Sequence, residues 1–135
     1  AFAPYKRGYK ALPHFQIGLW NSHLFMMVAV IYEAPNKAVM AERLLENLTQ
    51  IMSLPTHYVL SGDHMSPAAT TLHDAGEEGT TSLLERLRDV KKAEFLVGVH
   101  VPAEEAVKLS GESFTTLVEE TFTNLLPIYK TLTAR

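Results

Sequence analysis

At 135 residues, with 47% hydrophobic and 20% charged residues, the chain has the length and composition of one globular domain. Fifteen acidic and twelve basic residues give a net charge of −3, which argues against duplex nucleic acid as a partner. The absence of cysteine excludes disulfides, thiolate metal sites and cysteine nucleophiles, and it fits a cytoplasmic protein. The longest apolar run, residues 24–32, is too short to cross a membrane as a helix, so no membrane association is expected.

Two strands are predicted near the start of the chain. Residues 13–20 alternate between apolar and more polar side chains, which predicts a strand with one buried face. The apolar face holds Phe15, Ile17 and Leu19, and the polar face holds His14, Gln16 and Gly18. Residues 24–32 are apolar on both faces, which predicts a central strand covered on both sides.

A helix and a short strand are predicted next. Asn36 is the expected N-cap of a helix that continues to residue 52, because its apolar residues recur at three- and four-residue spacing. Residues 57–61 read as a short strand. The segment 64–76, rich in turn-forming residues, is expected to be the longest irregular loop.

Two further helices flank another strand in the second half. Ser82 and Glu85 have capping-box spacing and indicate a helix start. Residues 93–101 alternate as a strand does. The last helix is expected to bury Phe114 and Phe122, and Pro127 is expected to kink or end it.

The order of these elements is β-β-α-β-α-β-α. It predicts an α+β, two-layer sandwich in which an antiparallel or mixed sheet carries helices mainly on one face. No linker divides the chain, so residues 1–135 are expected to form a single domain. Because the chain lacks an initiator methionine and Phe2 is already apolar, we expect it to be the C-terminal part of a longer chain.

A basic turn with a central glycine is the first candidate for a functional site. The turn consists of Lys6, Arg7, Gly8, Tyr9 and Lys10. The Gly8 and Tyr9 amides and the Arg7 guanidinium are suited to bind a phosphate or carboxylate. The alternative is a solvated loop with scattered cations, because the turn lacks the helix N-terminus that supports a phosphate loop. The sequence leaves both interpretations open.

Polar residues on and near the predicted strands form a second candidate. His14 is suited to be a general acid or base and Gln16 to orient it, or His14 is simply a histidine on a sheet surface. Asp63 and His64 open the long loop, a common position for functional residues. These histidines and His100 do not have metal-ligand spacing, so no metal site is expected. The sequence leaves the cofactor unknown.

Four segments carry a resemblance to a known family. They are Lys6-Arg7-Gly8-Tyr9-Lys10 with Leu12-Pro13-His14-Phe15-Gln16-Ile17-Gly18, Asp63-His64-Met65 with Pro67, Val90-Lys91-Lys92-Ala93-Glu94-Phe95, and Leu125-Leu126-Pro127-Ile128-Tyr129. With these segments the chain resembles the YktB-like family of uncharacterised bacterial proteins over nearly its whole length. The resemblance implies a cytosolic two-layer α+β protein and no named reaction. It also implies an N-terminally truncated member, since members of that family are longer at the N-terminus.

Three hypotheses for function follow. The leading one is a small-molecule or anion-binding domain, with a site on the His14 and Gln16 face, under the basic turn and flanked by Asp63 and His64. The alternative is an acyl- or nucleotidyl-transfer enzyme that uses the same cleft, since the basic turn is similar to one in biotin and lipoate protein ligases. The third is a protein-interaction module, which requires Met26 or Met27 to be exposed.

Overall fold

The computed structural model describes residues 12–134. Within that range the strands are β1 His14–Leu19, β2 His23–Val30, β3 Val59–Ser61, β4 Thr70–Thr71 and β5 Phe95–Pro102. The helices are α1 Lys37–Glu46, α2 Leu48–Met52, α3 Leu72–Asp89, α4 Ala103–Ala106 and α5 Gly111–Thr133. All strand pairs of this sheet are antiparallel, in the order β1-β2-β5-β3-β4. The predicted α+β class is confirmed.

Strand β2 is buried on both faces, as its continuous apolar run predicts. One face contributes Leu24, Met26, Val28 and Val30 to the main hydrophobic core, which also contains the buried hydrophobic residues of α1, α3 and α5. The opposite face contributes Met27 and Ala29 to a smaller cluster with Val59, Leu96 and Ile31, which directly follows the strand. Met26 and Met27 are each only 3% exposed. A partner surface made by these methionines is therefore ruled out.

The main core joins the helices to one face of the sheet. Its fully buried large side chains include Phe95 from β5, Leu44 from α1, Leu84 from α3 and Leu125 from α5. Burying each such side chain stabilises the fold by about 1.5–3 kcal/mol. The helices that carry these residues pack against the sheet face of Phe95, which leaves the face of His14 and Gln16 without helical cover from this core.

The prediction that Phe15, Ile17 and Leu19 form a buried face of β1 is only partly correct. Phe15 packs against the rings of Phe122 and Tyr129, with ring centroids 4.6 and 5.2 Å apart. Ile17 and Leu19 on the same face are 44% and 76% exposed. β1 is an edge strand, and a groove separates Ile17 from α5, so the apolar contact with the helix does not extend along the strand.

Helix α3 begins ten residues before the Ser82 capping box that the sequence predicts. Its N-cap is Thr71, whose hydroxyl accepts a hydrogen bond from Asp74 N at 3.2 Å. Gly76 then adopts φ 61°, a conformation that glycine reaches without strain, and the helix resumes after this kink. The predicted loop 64–76 is therefore too long. The helix begins within it, after Thr71, and Gly76 only kinks the helix.

The other helix predictions need smaller corrections. Asn36 does occupy the N-cap of α1, but its side chain makes no capping hydrogen bond. The predicted first helix is two helices that meet at Asn47. Pro127 lies inside α5, which continues past it to Thr133. Phe114 and Phe122 are 36% and 40% exposed, so α5 does not bury them fully.

Two histidines stack on the sheet face opposite the main core. The rings of His23 and His100, on the paired strands β2 and β5, are 3.8 Å apart and inclined by 20°. Ser22 Oγ hydrogen-bonds His23 Nδ1 at 2.8 Å, and His23 Nε2 is buried without a hydrogen-bond partner in the described structure. Burial lowers the pKa of both rings; for His100, burial and the neighbouring His23 together lower it to about 4.

A substitution at Gly98 tests the close approach of β2 and β5. A Cβ at this position would lie 2.0 Å from Met26 O and 2.7 Å from Met27 Cα. These are backbone atoms, so no change of rotamer relieves the clash. We expect Gly98→Ala to lower the free energy of unfolding by about 3 kcal/mol or more, measured by urea denaturation.

Gly111→Ala is the matched control, because nothing lies within 4 Å of a Cβ built at Gly111. Its free energy of unfolding should stay within about 0.5 kcal/mol of the wild-type value. A Gly98→Ala protein as stable as this control would contradict the β2–β5 register.

The histidine pair makes stability depend on pH. An unfolded histidine titrates near pH 6.5, whereas folded His100 titrates near 4. The contribution of His100 to the free energy of unfolding is complete above pH 6.5 and is lost as the pH falls from 6.5 to 4, because His100 takes up its proton in the unfolded chain first. For the half-buried His100 we expect a loss of about 1–2 kcal/mol, measured as urea midpoints at several pH values.

His100→Gln should flatten this pH dependence. His57→Gln, which removes an exposed histidine, should retain it. Equal slopes in the wild type and His100→Gln would show that the stacked pair does not titrate as stated.

Candidate functional site

A buried carboxylate organises the candidate site. Glu94 immediately precedes β5 and is only 3% exposed. Its Oε2 accepts a hydrogen bond from Tyr32 N at 3.1 Å, and its Oε1 accepts from His64 N at 2.9 Å and from His64 Nδ1 at 2.7 Å. Because a carboxylate only accepts, the proton of this last bond lies on Nδ1. His64 therefore has Nε2 as the ring nitrogen that is available to a ligand.

The loop that carries His64 is held by hydrogen bonds between residues that are close in the sequence. Ser61, the last residue of β3, donates its hydroxyl to Asp63 O at 3.1 Å and accepts from Asp63 N at 3.2 Å. Asp63 Oδ1 accepts from Met65 N at 2.8 Å. Ser61 also pairs with Leu96 of β5, which brings the end of β3 beside the start of β5. This pairing is what places His64 against Glu94.

An open cleft of about 430 Å³ surrounds this pair, and we call it the Glu94 cleft. It is lined by Tyr32, Gly62, Asp63, His64, Met65, Arg86, Lys92, Ala93 and Glu94. Arg86 comes from the last turn of α3 and Lys92 from the turn that follows. Both side chains are exposed. The groups that line the cleft thus include two carboxylates, one imidazole and two cations.

A buried lysine supports the wall that carries these cations. Lys37, at the start of α1, is 9% exposed and donates from Nζ to Leu87 O at 2.8 Å and to Val90 O. Burial lowers the pKa of Lys37, and the negative charge of Glu94 partly opposes that shift. Lys37 thus binds one carbonyl in the last turn of α3 and one directly after the helix, and it fixes that end beside the cleft.

The structure brings several of the predicted site residues together. Gln16, Asp63 and His64 line a single small cavity of about 10 Å³ on the sheet face opposite the main core. His14 lies beside it: its Nδ1 donates to Leu12 O at 2.9 Å, and its Nε2 accepts from Gln16 Nε2 at 2.9 Å. Both ring nitrogens of His14 are therefore hydrogen-bonded, one of them to Gln16.

The remaining predicted site residues, Arg7, Gly8, Tyr9 and Lys10, lie outside the residues that the structure describes.

Sequence reasoning missed Glu94, Arg86 and Lys92 as site residues. One available signal was the position of Glu94, a single carboxylate directly before an apolar strand and on its more polar face by alternation. Arg86 and Lys92 read only as cations that complement a helix C-terminus. Their common cleft depends on where α3 ends relative to β5, which is a tertiary relation.

A second cavity, of about 180 Å³, lies between the edge strand and the last helix. Its walls are Phe15, Gln16, Ile17, Met26, Met27, Val118, Thr121, Phe122 and Leu125. None of these side chains is charged, so this groove offers shape and apolar contact but no acid–base group. We therefore regard the Glu94 cleft as the candidate functional site.

In residues 12–134, no helix has the length and apolarity needed to cross a bilayer.

Comparison with known proteins identifies relatives but no activity. Residues 1–129 match the model of a domain of unknown function, DUF1054. A UPF0637 protein of Lysinibacillus sphaericus is 56% identical over 135 residues, covering all of this chain and 64% of the relative. UPF0637 proteins of Exiguobacterium sibiricum and Bacillus cytotoxicus are 50% and 45% identical, each covering 96% of this chain and 63% and 62% of the relative.

The chain thus spans less than two thirds of the length of these curated relatives. The resemblance to an uncharacterised bacterial family is confirmed: the chain belongs to the DUF1054 family, with UPF0637 proteins as its curated relatives.

Proposed function

We propose that this chain binds a small anionic ligand in the Glu94 cleft, and that it does so in the cytoplasm. The observation that carries the proposal is the presence, in one open cleft, of two cations and an imidazole whose orientation a buried carboxylate fixes. A preformed concave site with a few convergent polar groups is typical of small-molecule binding.

The orientation of His64 supports this proposal. Two hydrogen bonds to Glu94, from the backbone N and from Nδ1, restrict both the main chain and the ring of His64. The ring therefore presents Nε2 without further loss of rotamer freedom when a ligand binds. Such preorganisation strengthens binding because less conformational entropy is lost.

The distribution of charge also supports it. Arg86 lies in the last turn of α3 and Lys92 in the turn that follows, and both side chains are exposed and line the cleft. The carboxylates of Glu94 and Asp63 already accept hydrogen bonds from the protein, which reduces their repulsion of an incoming anion. Arg86 is suited to bind a phosphate or carboxylate through two parallel hydrogen bonds.

A transferase or hydrolase that uses the same cleft is the second candidate. The pair of Glu94 and His64 has the arrangement of a general base and the carboxylate that orients it. Within residues 12–134, Ser61 and Ser66 line a small cavity together with His64, but no serine or threonine hydroxyl is hydrogen-bonded to the His64 ring. Anion binding therefore explains more of the charged and polar side chains in the cleft than covalent catalysis does.

Phosphate titration tests the proposed function. Inorganic phosphate should bind to the wild type in isothermal titration calorimetry at low ionic strength, where charge interactions are least screened. Arg86→Gln and Lys92→Gln should each raise the Kd by about tenfold, because each removes a charged hydrogen-bond donor from the ligand.

Lys91→Gln is the matched control. It removes the same charge at the neighbouring position, but Lys91 does not line the cleft. If Lys91→Gln weakens phosphate binding as much as Lys92→Gln, the attraction is a general surface effect and the proposal fails.

The basic turn stays a prediction for the same anion. If Arg7 contributes a guanidinium to the ligand, Arg7→Ala should also weaken phosphate binding and abolish any ligand-induced rise in Tm. An unchanged Kd in Arg7→Ala would separate the turn from the site and leave the cleft proposal intact.

A further inference from the structure

We propose that Asp63, His64 and Glu94 form a binding site for one divalent transition-metal ion, with Zn²⁺ and Mn²⁺ as the suitable class. One ligand atom from each residue lies within 4.8 Å of the ligand atoms of the other two. This inference goes beyond the proposed anion binding and does not depend on it.

The sheet itself produces this grouping. Asp63 and His64 follow β3, and Glu94 precedes β5. Because β3 and β5 are antiparallel neighbours, the last residue of β3 lies beside the first residues of β5, at the same end of the strand pair. The three ligands therefore come from two chain segments that backbone pairing holds together, which limits the rearrangement that an ion would require.

The donor set favours a transition metal. One imidazole nitrogen with two carboxylates suits Zn²⁺, Mn²⁺ or Fe²⁺, whereas Ca²⁺ and Mg²⁺ favour sites made of oxygen donors alone. Three protein ligands leave at least one coordination position for water or another ligand, as in catalytic zinc sites. All three residues line the Glu94 cleft, so such an ion would border the space where the anion is proposed to bind.

An ion that binds both Glu94 and His64 would take the place of the proton that the two now share. The pair would have to open, because two ligand atoms of a tetrahedral ion at about 2.0–2.1 Å lie about 3.3 Å apart. The distance from Glu94 Oε1 to His64 Nδ1 is 2.7 Å, and that contact contains a single proton. If the ion binds at Nδ1, this proton leaves to solvent and the nitrogen lone pair and the carboxylate oxygen become ligands. The backbone donors Tyr32 N and His64 N would continue to orient the carboxylate, as outer hydrogen bonds do in metal sites.

Titration with the metal alone tests this site. Chelator-treated protein, free of phosphate, is titrated with Zn²⁺ and separately with Mn²⁺ in a calorimeter. We expect one ion per chain for at least one of the two metals, and at least about a tenfold rise in its Kd in Asp63→Asn and in His64→Gln. Asp63 is exposed, so Asp63→Asn should fold even if a change at the buried Glu94 does not.

His57→Gln is the control, because it removes an exposed histidine outside the cluster. The proposal is overturned if neither metal binds at millimolar concentration, or if His57→Gln weakens binding as much as His64→Gln. Phosphate affinity measured without metal tests the anion proposal separately, so either proposal can fail alone.

Discussion

The burial of the Glu94 carboxylate is the constraint on which the site depends. An ionised carboxylate out of water costs several kcal/mol, and breaking a buried charged pair costs about 3–5 kcal/mol. Glu94 offsets that cost with the N–H groups of Tyr32 and His64 and with the His64 ring. These donors belong to the segment after β2 and the loop after β3. One side chain therefore joins both segments to the start of β5.

The buried positive charge of Lys37 is likewise stabilised by hydrogen bonds to the protein. Lys37 satisfies its ammonium with two carbonyl groups at the end of α3, and Glu94 is the charge that favours its protonated form. Lys37 thereby joins α1 to the end of α3, from which Arg86 extends into the cleft. The two walls of the Glu94 cleft are thus each anchored by a buried charge, one on the sheet side and one on the helix side.

The sequence predicts most of the fold because the strands have strong local patterns, but it predicts less of the site. The alternation of β1 and β5 and the apolar run of β2 identify three strands without tertiary information. The sequence predicts helix α3 only from Ser82, and its first part, from Leu72, was missed because Gly76 and its polar neighbours have the composition of a loop. Only the observed φ angle shows that the chain kinks at Gly76 within the helix. Asp63 and His64 were predicted from their position after a strand. Glu94 was missed because its role depends on the pairing of β3 with β5, which no local spacing encodes.

The charges in the cleft constrain what it binds. The two carboxylates and the cations Arg86 and Lys92 cancel, so electrostatic attraction alone selects strongly neither for anions nor for cations. The hydrogen bonds that Glu94 already accepts leave it a weaker source of repulsion than Arg86 is a source of attraction, which favours an anion. A divalent ion at the carboxylates would add to that preference, because the cleft would then carry a net positive charge and offer a coordination position. Metal occupancy would therefore raise phosphate affinity, and the same free energy of coupling would make phosphate raise metal affinity.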